Sequence, residues 1–265
     1  MINTLSISAI LLYFVAAISR FYQIGHLVIS PKYLLLLLGA LAVSLHAFIL
    51  YQNMITPHGL NLGFFSAGSL ISWVIALLLL LTLLRQPVEN LAIVLFPLAA
   101  ITIGFENFFQ SERILSSHTE FGVTLHIFFS ILAYSLLTIS ALQALFLALQ
   151  DYQLNRKRPG WVMQRLPPLQ VMEILLFEMI AVGFGLLSLS LISGTLFLED
   201  IFAQHLVHKT VLSIVAWGVF AGLLFGRWRY GWRGKTVIRW TISGFIVLMF
   251  AYFGSKMVLE LILHR

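Results

Sequence analysis

Long apolar runs separated by short polar connections dominate the chain. They lie at about residues 3–19, 33–52, 64–84, 90–109, 122–150, 175–198, 207–227 and 237–262. A helix of roughly 20 residues, rising ~1.5 Å per residue, crosses a ~30 Å hydrocarbon core. Lipid offers no hydrogen bonds to the backbone, so each run must satisfy its own amides and is predicted to be helical. The pattern predicts an all-α polytopic membrane protein with about eight transmembrane helices. We expect one transmembrane domain over residues 1–265, with no internal repeat and no low-complexity segment. The opening MINTL carries no Lys or Arg and Arg20 follows the first run, so that run is expected to stay as a span rather than act as a signal peptide.

The connections carry the orientation. Arg20 and Lys32 lie in the first, Arg85 in the third, Arg156, Lys157, Arg158 and Arg165 in the fifth, and Arg227, Arg229, Arg233 and Lys235 in the seventh. The even connections are poor in base. By the positive-inside rule the odd ones are cytoplasmic, which places both termini on the outer, periplasmic side. The largest polar piece, residues 151–174, is then a basic cytoplasmic connection. Its Leu166-Pro167-Pro168 stop would allow a short interfacial helix before the sixth span.

Composition sharpens the class. The 265 residues are 60% hydrophobic and 10% charged, with mean hydropathy +0.97. The absence of cysteine excludes disulfides and thiolate metal sites. The net charge of +6 reflects membrane anchoring rather than nucleic-acid binding.

Candidate chemistry rests on histidine. This topology puts seven of the eight histidines on or near the outer face. His46 in the second span and His126 in the fifth both lie about 6–10 Å below that face. Neutral imidazole is a good axial ligand for haem iron, and two facing helices can each supply one. A helix–helix hydrogen bond is the competing role for each. Gly39 and Ala42 share the face of His46, and Ser130 and Tyr134 that of His126. Lys209 could hold a haem propionate or simply snorkel. His205-x-x-His208 is a weak zinc pattern. Lys256 and Glu260 are expected to pair, Glu106 to be an interfacial carboxylate rather than a proton relay, and Glu173 and Glu178 to be structural.

Four stretches carry a family resemblance: LHIFFSILAYSLLTISALQALFLALQDYQL (125–154), HKTVLSIVAWGVF (208–220), YGWRGK (230–235) and AYFGS (251–255). They resemble the cytochrome c assembly (CcsA/ResC/CcmC-like) haem-handling membrane proteins, with most likeness to the small YpjD-type inner-membrane branch. The resemblance implies that His126 is an outer-face haem ligand. It places His264 near the second outer-face ligand of larger members, and His46 where the small branch also carries a histidine. Larger members have a tryptophan-rich outer loop ending in Asp-Pro-Lys. Here Phe197 to Lys209 has no tryptophan, and His208-Lys209 stands at its end.

These readings lead to a non-catalytic protein of the bacterial inner membrane that handles haem or serves cytochrome c biogenesis. His126 and His46 are the expected iron ligands, His264 a substitute for either, and Lys209 a propionate contact. The haem is expected to be b-type and non-covalent. Expected partners are the lipid bilayer, haem, and a cytochrome c maturation or other membrane protein, without nucleic acid. The alternative is an accessory or regulatory membrane subunit without cofactor, acting through a protein partner. A secondary transporter is weaker, because no pair of Gly/Pro-broken spans occurs in corresponding halves.

Overall fold

The computed structural model describes residues 4–26, 32–57, 59–109, 114–116, 121–155, 166–197 and 207–254. Their helices are α1 (Thr4–His26), α2 (Lys32–Met54), α3 (Phe64–Arg85), α4 (Ala92–Phe108), α5 (Phe121–Asn155), α6 (Leu169–Phe197), α7 (Val207–Tyr230) and α8 (Lys235–Met249). A 3-10 turn, Glu89–Leu91, leads into α4, and a π-helical turn, Phe250–Gly254, continues α8. With these turns, eight helices among the described residues are long and apolar enough to cross a membrane, matching the eight predicted spans. The chain clusters into two compact units, 1–118 with 160–166, and 119–159 with 167–265.

In the first unit α1 packs on α2 and α4, and α3 packs on α2 and α4. Lipid gives apolar faces no reason to leave it, so such contacts depend on close approach and on polar links. Gly39 supplies the approach: a Cβ there would come within 2.8 Å of Leu80 and 2.9 Å of Phe96. The small face beside His46 is thus filled at Gly39 by α3 and α4. Arg20 supplies a link. Its Nη2 donates to the Asn90 Oδ1 at 3.0 Å and its Nε to the same oxygen at 3.2 Å. The charge that marks the expected end of the first span therefore sits inside α1, and the helix runs on to His26.

At the other end of this unit lies a small antiparallel sheet, which no sequence pattern announced. Strands β1 (Ile55–Thr56), β2 (Gly59–Asn61) and β3 (Ile114–Ser116) pair in that order, with Thr56 opposite Gly59 and Gly59 opposite Ser116. Gly59 has φ 134°, a value open to glycine in the tight β1–β2 turn.

In the second unit α5 lies along α6 and also meets α8, while α7 packs on α6 and α8. One end is latched by Glu173. Its Oε1 accepts from Arg227 Nη1 at 3.0 Å and Arg233 Nε at 3.2 Å, and its Oε2 from the Gly234 amide at 3.4 Å. This explains the YGWRGK stretch. Gly231 and Gly234 take φ 66° and 58°, and the Gly231 amide closes α7 on the Arg227 carbonyl. Trp232 folds back over Gly226, where a Cβ would overlap its ring. Glu173 is structural, as expected. Helix α6 starts directly after Pro167-Pro168, and α5 continues to Asn155, five residues beyond its predicted end. Lys256, Glu260 and His264 lie outside the described residues, as does 156–165 of the basic connection.

Candidate functional site

The other end of the second unit holds a partly open cavity of about 260 Å³. It lies where α5 begins, α6 ends, α7 begins and the π turn closes α8. Leu187, Leu191, Ile214 and Leu248 give it apolar walls, and His126, Ser130, Tyr134, Ser190, Lys209 and Tyr252 bring polar groups to it. The volume is just below the ~300–1,000 Å³ usual for small-molecule sites, and apolar walls with a few convergent polar groups are their usual make-up.

His126 is the chemical centre. Its Nδ1 lies 2.8 Å from the Ser190 carbonyl oxygen. A carbonyl only accepts, so Nδ1 carries the proton, and in neutral imidazole Nε2 is left with its lone pair. Ser130 Oγ lies 3.5 Å from Nε2. That hydroxyl has one proton, which it donates to the His126 carbonyl at 2.7 Å, while Ser190 Oγ lies 2.7 Å away and can donate to it. Ser130 is therefore a poor donor to Nε2. A backbone carbonyl accepting from one ring nitrogen, with the other nitrogen's lone pair available, is a usual way to hold a metal-ligating histidine.

The α5 stripe His126, Ser130, Tyr134 comes from i, i+4, i+8 spacing, which puts all three on one helix face. The Tyr134 and Tyr252 rings meet at 5.6 Å, and the Lys209 ammonium lies 5.4 Å from the Tyr252 ring centre. Lys209 thus lines the same cavity as His126. Sequence reasoning missed Ser190 and Tyr252. Ser190 acts through a backbone carbonyl 64 residues from His126, a role that leaves no mark on side-chain pattern.

His46 sits elsewhere, in the α1–α4 unit. It is wholly buried, with Nδ1 3.3 Å from the Tyr13 hydroxyl and Nε2 3.0 Å from Ser69 Oγ. Both ring nitrogens are engaged, so binding iron there would require releasing Tyr13 or Ser69. Glu106 is buried too, at 7% exposure. His208 is exposed at the start of α7, and His205 lies outside the described residues. Among the described residues no group of three or more His, Cys, Asp or Glu side chains could hold a metal ion.

Fold and site together define a multi-pass α-helical membrane protein with one half-buried histidine facing an intramembrane cavity. The family model for the cytochrome c assembly protein matches residues 34–263, and the chain belongs to that family. It is a multi-pass protein of the inner membrane. It is similar to the inner membrane protein YpjD of Escherichia coli (strain K12), with 34% identity over 226 residues covering 84% of this chain and 86% of that protein. An uncharacterized 28.8 kDa protein of Azospirillum brasilense is 32% identical over 143 residues, 53% of each chain. The cytochrome c biogenesis protein CcsA of Gloeothece citriformis is 26% identical over 102 residues, 38% of this chain and 31% of that protein. No solved structure matches the chain.

Proposed function

We propose that this protein binds a b-type haem non-covalently in the cavity of the α5–α8 unit, with His126 Nε2 as an axial ligand, and serves haem handling in cytochrome c biogenesis without being an enzyme. The observation that carries the reading is the Nδ1–H bond from His126 to the Ser190 carbonyl, which leaves the ligating lone pair beside an apolar cavity. Family membership and the CcsA relative's description as a cytochrome c biogenesis protein support it. When bound, haem supplies iron that takes imidazole as an axial ligand. The residues of this chain do the rest: His126 offers one nitrogen, Leu187 and Ile214 exclude water, and Lys209 offers a cation to a propionate.

His264 is the histidine to test for the opposite axial position. The proposed orientation keeps both termini outside, so the His126 cavity opens near the outer face and the Glu173 latch lies near the cytoplasm. Hemin titration of the detergent-purified protein tests the haem reading. A saturable Soret band in the wild type, weakened by His126→Ala, supports it. A second reading, an accessory subunit acting through a partner, rests on the tryptophan-free stretch from Phe197 to Lys209. Crosslinking to one partner by a protein that takes up no haem would favour that reading.

A further inference from the structure

The α1–α4 unit contains a carboxyl group that the haem reading does not use. Glu106 lies near the end of α4, at 7% exposure. Neither of its carboxyl oxygens makes a hydrogen bond of good geometry. Ser66 and Ser69 of α3 and Asn53 of α2 turn their polar groups toward it. Ser66 and Ser69 are themselves buried, at 6% and 0% exposure, whereas Asn53 is exposed.

The other described charges of the unit are far away. Arg20, Lys32, Arg85 and Glu89 all lie at or near the opposite ends of their helices. Arg20 is bound to Asn90, sixteen residues before Glu106 on α4 and its lead-in turn, about 24 Å along the axis. Arg85 is as far from Ser69 on α3. Among the described residues, the titratable groups linked to the site are His46 of α2, which meets Ser69, and Tyr13 of α1, which meets His46. On the α1 side Ser6 bonds to Asn107, and no charged side chain is described there.

Among the described residues, no cation and no hydrogen bond of good geometry compensates a buried carboxylate at Glu106. A proton compensates it without needing space. The surrounding groups suit both states: each serine hydroxyl and the asparagine amide can accept from a carboxylic acid or, after a rotation, donate to a carboxylate. The exposed Asn53 gives the acid a route to water at the sheet-bearing end of the unit, and fully buried Ser69 bounds it inward.

We propose that Glu106 is a binding site for one exchangeable proton, entered from the Asn53 end of the α1–α4 unit and bounded inward by Ser69. Binding and release would change the buried charge of this unit by one, independently of any haem at His126.

Infrared difference spectroscopy of the full-length protein in lipid nanodiscs, stepped between acid and alkaline pH in H₂O and D₂O, tests this. The expected result is a carboxylic-acid C=O band that shifts on deuteration, disappears reversibly at alkaline pH and is absent from Glu106→Gln. Ser69→Ala should shift that band, and Asn53→Ala should slow its deuteration several-fold. If Glu106→Gln does not fold, those two variants still decide the matter. The proposal is overturned if Glu106 shows only ionised-carboxylate bands throughout, including bands that respond to added sodium. It is equally overturned by an acid band that neither exchanges nor responds to pH, or that both Ser69→Ala and Asn53→Ala leave unchanged.

Discussion

His126 takes its chemical character from a single backbone carbonyl. Because Ser190 contributes its main chain, its side chain is dispensable for holding the ring. Loss of the group that holds a ligating histidine's other nitrogen typically costs ~10–100-fold in metal affinity. Ser190→Ala keeps the carbonyl, so hemin affinity should fall by less than about 10-fold on that scale, whereas His126→Ala should lose most of the binding; parallel titrations check both. His46 is held differently, by side chains on both nitrogens. His46→Ala strands Tyr13 and Ser69 in the interior, and should destabilise the folded protein by about 1–3 kcal/mol, read as a lower melting temperature in detergent. An unchanged melting temperature would contradict that role. The contrast was not legible in the sequence. Both histidines lie in apolar spans at similar depth, and only the partners that folding brings to them separate a fully bonded core residue from one facing a cavity.

At the scale of elements, the spans were legible because long uncharged runs admit one structure in lipid. Their ends were not. Arg20 lies within α1 because Asn90 satisfies it laterally, and the β1–β2–β3 sheet is made of strands too short to show a period. The YGWRGK stretch was legible as a motif, while its mechanism required Glu173 of α6. Hydrogen bonds to charged groups contribute about 1.5–3 kcal/mol, and the two arginines are 31% and 57% exposed, which weakens their share. Glu173→Ala should therefore lower stability by about 1–2 kcal/mol, and Gly226→Val should lower it further by displacing Trp232. Melting curves of the two variants check this; equal stability of Glu173→Ala and wild type would remove the latch from the account.

For the whole molecule, sequence alone supplied eight helices, the membrane and the family, while the division into two compact units came only with the structure. The proposed orientation rests on the basic residues of the odd connections. Because the chain has no cysteine, single introduced cysteines report it cleanly. A cysteine at Asn61 should react with a membrane-impermeant maleimide from outside the cell, and one at Asn155 only after the inner face is opened. The reverse pattern would invert the proposed topology. The proposed haem site makes the His126 cavity the centre of the account. The most direct test is the visible absorption spectrum of the detergent-purified protein from haem-replete cells, recorded beside His126→Ala and His46→Ala. The account predicts a haem spectrum that His126→Ala abolishes or shifts; a wild type that stays colourless after hemin is added, or a spectrum that His126→Ala leaves unchanged, would contradict it.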